Sequence, residues 1–107
     1  MGKTEIVFEI TDKTGRKIHL SKERWSHIQR HPHMYEQLEN IKLTIQNPLT
    51  IRYYEEDEDV IYFYKEFKDG EPSERYLLVS VKYLNGEGFI ITSFFTDKIT
   101  GLKWQTK

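Results

Sequence analysis

The chain contains no cysteine. Disulfides, thiolate nucleophiles and Cys-ligated zinc are therefore excluded, and a reducing compartment fits. Proline is scarce, three in 107 residues, so Pro32 and Pro48 stand out as breaks in the pattern. No stretch approaches the about 20 apolar residues of a membrane span, and no apolar run of signal-peptide length opens the chain. A soluble, cytoplasmic protein with no membrane contact is the expectation. An excess of one charge is missing too. With 16 basic against 17 acidic residues the net charge is −1, which creates no global field to gather a polyanion.

Aromatic residues, by contrast, are plentiful: seven Tyr and six Phe. A chain so supplied has surface worth burying, and its length suits one domain over residues 1–107. Charge is also unevenly placed. Lys13, Arg16, Lys17, Lys22, Arg24 and Arg30 load the early part, whereas Glu55–Asp59 gathers five acidic residues in what reads as a loop.

The apolar period changes along the chain. β-rich residues either side of Thr11-Asp12-Lys13-Thr14-Gly15 predict a hairpin over 4–20. Ser21 then stands as an N-cap, with Glu23 in the first turn, and predicts a helix over 21–31 that Pro32 stops. Met34, Leu38, Ile41 and Ile45 recur at spacings of four, three and four, predicting a second helix over 34–46. From 49 to 96 the period becomes that of strands. Four are expected: 49–54, 60–67, 75–84 and 88–96, with Asn85-Gly86 as a hairpin turn. Residues 97–107 read as a tail, with a short strand or docked segment at 98–104.

The expected fold is α+β: an N-terminal hairpin, two helices, then a four-stranded antiparallel sheet. Its apolar face, carrying Leu77, Val79, Val81 and Tyr83, is expected to be covered by both helices. In the last strand, simple alternation puts Phe89, Ile91, Ser93 and Phe95 on one face and Ile90, Thr92, Phe94 and Thr96 on the other.

The stretch Arg24–Pro32 concentrates chemistry. Two of the four histidines, two arginines and a Trp fall within it. Helical spacing sets Trp25 and Ile28 toward the core and aligns Arg24, His27 and His31 in a stripe at its margin. There an imidazole can be partly desolvated and still reach a ligand, so it can move protons near neutral pH. His27 and His31 lie one turn apart and could share a metal, but a third ligand and a His-Glu-x-x-His pattern are missing, so none is expected. Thr92, Ser93 and Thr96, near Lys65 or Lys82, offer hydroxyls and cations to phosphate oxygens. Tyr62 and Tyr64 could stack on bases. Each of these also has a plain structural role open to it: a boundary histidine, or a strand residue of good β propensity.

The run His27-Ile28-Gln29-Arg30-His31-Pro32, then Leu38-x-x-Ile41, Gln46-Asn47-Pro48 and Phe89–Thr96, resembles the phage-associated and toxin-like members of the barnase–EndoU–colicin–RelE (BECR) nuclease superfamily. The resemblance spans about residues 20–100. It implies helices followed by an antiparallel sheet, and RNA cleavage that needs neither metal nor cofactor. It further implies His27, His31, Arg24, Thr92 and Ser93 as catalytic residues, and Arg30, Lys65, Lys82, Tyr64 and Thr96 as substrate-binding ones. RNA is the implied substrate, and a cognate antitoxin or immunity protein the implied partner. A non-catalytic module that binds RNA or protein on the same fold is the alternative, and a homodimer formed through a sheet edge is left open.

Overall fold

A computed structural model describes residues 5–104; the first residue of the expected hairpin and the end of the expected tail lie outside them. Strands β1 (Ile6–Thr11) and β2 (Lys17–Ser21) form the hairpin, followed by helices α1 (Lys22–Ile28) and α2 (Leu38–Gln46). Strands β3 (Thr50–Tyr54), β4 (Asp57–Glu66), β5 (Tyr76–Leu84) and β6 (Glu87–Thr96) come next, and β7 (Leu102–Lys103) closes the described chain. A single 3-10 turn, Pro72–Glu74, lies between β4 and β5. Among the described residues no helix is long and apolar enough to cross a membrane.

The expected four-stranded sheet covered by both helices is not what forms. Seven strands make one mixed sheet in the order β1-β2-β6-β5-β4-β3-β7. The hairpin joins through a short parallel pairing, Ile18 with Gly88 and His19 with Phe89, and β7 adds to the far edge by pairing with β3. Sequence pattern cannot announce the parallel pairing, because its two strands are separated by both helices and three other strands. Gly88 permits it: a Cβ there would lie 2.4 Å from Ile18 Cδ1 and 2.8 Å from Val81 Cγ1.

The helices also divide their work. α2 packs against β4 and β5, while α1 lies against β6 and β2. β2 stops pairing with β6 at His19, and α1 starts three residues later and carries on beside β6. One flank of α1 therefore meets the core and the other is left at the sheet margin.

Both helices are shorter than their periodicity predicts. Ser21 is the N-cap, its hydroxyl accepting the Arg24 amide at 3.1 Å. At the far end the amides of Arg30 and His31 turn back to the carbonyls of His27 and Ile28, at 3.2 and 3.0 Å. These tighter i to i−3 bonds end the helix before Pro32. His33 follows with φ of +64°. Met34 thus sits in this turn rather than in α2, yet it is fully buried. The acidic segment is likewise mostly strand: β4 begins at Asp57, leaving only Glu55-Glu56 as the turn.

Residues directly opposite one another on paired strands share a face. The inner face carries Ile51, Ile61, Phe63, Leu77, Val79 and Val81, closed by Ile28, Met34, Ile41 and Ile45. Each such side chain contributes about 1.5–3 kcal/mol when fully buried. The outer face carries the cross-strand row Arg52–Tyr62–Ser80–Thr92 and, beside it, Thr50–Tyr64–Leu78–Phe94.

In β6 the simple alternation fails at one point. Thr92 pairs with Ser80, but Ile90 pairs with Val81, so Ile91 is an extra residue in a bulge. Ile90 is thereby turned into the core, and Phe89 moves to the outer face opposite Lys82.

Candidate active site

Three elements meet where α1 ends: the last turn of α1, the turn after it, and the middle of β6. The His27 and His31 rings stand edge to face with centroids 5.9 Å apart. His31 in turn lies 5.5 Å from the Phe94 ring, and its Nε2 is 3.4 Å from the Thr92 hydroxyl. His31 is half-buried and His27 exposed. Ile28, fully buried between them in sequence, anchors the pair to the core.

Arg24 stands one turn before His27 and is exposed. It borders two depressions. One holds His27 and Arg30; the other holds Lys82, Phe89 and His19. Lys82 is half-buried, and its Nζ lies 3.7 Å from the Asp57 carboxylate, an exposed pairing that a phosphate could displace at little cost. In the Thr92 row of the outer face, two strands away, Tyr62 has its hydroxyl pKa raised, first by partial burial and then by the neighbouring Tyr54, Tyr64 and Asp57. It therefore stays a neutral donor well past neutral pH.

His27, His31, Arg24 and Thr92 are thus brought to one margin of the sheet, with Arg30 and Lys82 at its two ends. The remaining expected residues are placed elsewhere. Ser93 faces inward, is fully buried, and donates its hydroxyl to the Leu78 carbonyl at 2.7 Å; alternation with Thr92 requires this, since adjacent strand residues point oppositely. Lys65 lies in register with Leu77 on the inner-face side, its ammonium 5.8 Å from the Phe67 ring centre. Tyr64 is on the outer face but almost wholly buried, its hydroxyl accepting the Thr100 amide at 3.4 Å. Thr96 sits at the end of β6 beside Lys98.

One contributor escaped the sequence reading: Phe89 is exposed beside Lys82 because of the bulge. Arg52, at the far end of the cross-strand row containing Thr92, is three strands away and held by Thr50 and the Gly101 carbonyl at 3.2 and 3.3 Å. His19 and His33 are both bound to carboxylates, His19 by Glu87 at 2.6 Å and Glu9 at 3.4 Å, His33 by Glu74. Among the described residues no three His, Asp or Glu side chains cluster as metal ligands would.

Paired imidazoles, flanking guanidinium and ammonium groups and a strand hydroxyl define a site suited to phosphodiester chemistry. The family described as phage-Barnase-EndoU-ColicinE5/D-RelE-like nuclease 2 matches residues 2–106. The chain belongs to that nuclease family, in agreement with the resemblance carried by its helix and strand motifs. It has no significant match to a curated protein or to a solved structure.

Proposed function

We propose that the chain is an RNA endonuclease that cleaves by internal attack of the ribose 2′-OH, with His27 and His31 as the proton-transfer pair. The observation that carries this reading is the geometry of the two rings. With centroids 5.9 Å apart and edge to face, both imidazoles can border a single phosphodiester, one toward the attacking oxygen and one toward the leaving oxygen. One imidazole takes the 2′-OH proton as the 2′ oxygen bonds to phosphorus. The other, as imidazolium, donates a proton to the 5′ oxygen as the P–O5′ bond breaks. The products are a 2′,3′-cyclic phosphate and a 5′-hydroxyl, and no metal is required. Arg24 supplies charge to the phosphorane oxygens, with Arg30 and Lys82 binding the neighbouring phosphates. Thr92 holds the His31 ring through Nε2.

The test is incubation with mixed RNA in EDTA, followed by analysis of the ends. Cyclic-phosphate ends, and protection of a bond by a single 2′-deoxy substitution, are expected. Cleavage of the deoxy-substituted bond overturns the mechanism. Saturable RNA binding with no turnover between pH 5 and 9 instead supports a binding module on the same fold.

A further inference from the structure

The depression between β2, α1 and the start of β6 has no role in the proton-transfer scheme. Its volume is about 520 Å³, and it is bordered by Ile6, His19, Arg24, Lys82, Phe89 and Ile91. Two cations, Arg24 with the Glu23 carboxylate next to it and Lys82, meet here at a largely apolar cleft whose wall is an aromatic ring. Phe89 is 43% exposed. One neighbour of its ring is already fixed, since His19 stacks on it with centroids 5.2 Å apart and planes inclined by 22°. His19 is itself clamped between Glu9 and Glu87, so the wall is held in place before any ligand arrives.

The bulge at Ile91 makes the cleft. Without it, alternation would turn Phe89 inward and Ile90 outward. A bulge that costs a ladder bond and exposes a phenyl ring is a device for re-aiming a side chain. The ring is brought opposite Lys82, and Arg24 links the cleft to the depression that holds His27.

We infer that this cleft is a nucleobase subsite for single-stranded RNA: a base flanking the cleaved bond stacks on Phe89 and its outer phosphate meets Lys82, while Arg24 stays with the phosphate that is cleaved. The inference rests on the RNA-cleaving reading for its choice of ligand. Phe89 and Thr92 face Lys82 and Ser80, two positions apart on β5, so the bulge sets them roughly 7 Å apart along the strand, within reach of one nucleotide from the histidine pair. Stacking needs only a π-face, so the subsite tolerates every base and cannot grip a duplex, whose bases are already stacked.

Binding can be read without turnover. A labelled single-stranded oligoribonucleotide is titrated by fluorescence anisotropy into the His31→Ala protein, with and without Phe89→Ala or Phe89→Trp, each variant checked by thermal melting. Phe89→Ala is expected to weaken binding roughly 5- to 150-fold and Phe89→Trp to retain it. The loss should vanish with a strand of the same length lacking bases, whereas Lys82→Ala should lower the salt slope by about one. Unchanged affinity in Phe89→Ala, equal loss in Phe89→Trp, or no binding by the parent overturns the subsite. Cleavage that proceeds unaffected by Phe89 sinks the subsite alone; base-dependent binding with no cleavage in EDTA sinks the endonuclease alone.

Discussion

At the scale of the residue, neighbours in sequence have opposite fates. Thr92 reaches His31, while Ser93, one position on, is sealed in the core. Substitutions should separate them cleanly. His27→Ala or His31→Ala is expected to lower kcat by roughly 10²- to 10⁴-fold with the melting temperature little changed, as loss of general acid or base catalysis does. Ser93→Ala should leave kcat within about twofold but destabilise the fold by about 1 kcal/mol, because the Leu78 carbonyl loses a buried donor. Steady-state kinetics alongside urea unfolding measures both. A Ser93→Ala enzyme that stays folded but inactive would return that hydroxyl to the chemistry.

At the scale of the element, two short features set the site's geometry. α1 is only seven residues long, too short to hold itself together without tertiary support, so its cap matters. Ser21→Ala is expected to cost about 1 kcal/mol in chemical denaturation. The junction of β2 with β6 depends on Gly88. Gly88→Ala would drive a methyl into Ile18, Val81 and Tyr83, and an overpacked core of this kind loses about 1–3 kcal/mol. Unfolding curves for the two variants should rank Gly88→Ala as the more damaging. The reverse order would mean that the parallel pairing gives way easily.

At the scale of the whole molecule, one polar knot ties the hairpin to the sheet. Asp12 is almost wholly buried and accepts from the Thr14 amide and hydroxyl, the Arg16 amide and the Tyr83 hydroxyl. The Arg16 guanidinium lies over the Tyr83 ring, 3.5 Å from its centre. Burial, followed by the bond and the charge of Asp12, pushes the Tyr83 pKa far above that of a free tyrosine. The folded state therefore holds this proton where the unfolded chain, with its pKa near 10, releases it. The resulting stability is complete below about pH 10 and is lost as the pH rises further, at up to about 1.4 kcal/mol per pH unit. Tyr62, shifted in the same direction, adds to the decline. Tyr83→Phe should be less stable at pH 7 by about 1–2 kcal/mol, through the donor lost to Asp12, and should show a shallower fall above pH 10. Parallel alkaline profiles for the two proteins would refute the assignment.

Local chemistry made much of this architecture legible. Ser21 as a cap, the stripe of Leu38, Ile41 and Ile45, the Asn85-Gly86 turn with both residues at positive φ, and the alternation of β5 all follow from interactions within a few residues. So does the alignment of Arg24 with His27, one helical turn apart, whereas His31 lies past the end of α1, in the tighter turn before Pro32. Long-range pairing decided the rest. Gly88 admits Ile18 and so welds the hairpin into a seven-stranded sheet, which sets α1 beside β6 instead of over the sheet. The bulge at Ile91 depends on which residues of β5 face it, and no period in β6 reveals it. The histidines were determined by the sequence, but their strand partner Thr92 and the exposed ring of Phe89 were chosen by strand register, which exists only once distant segments pair.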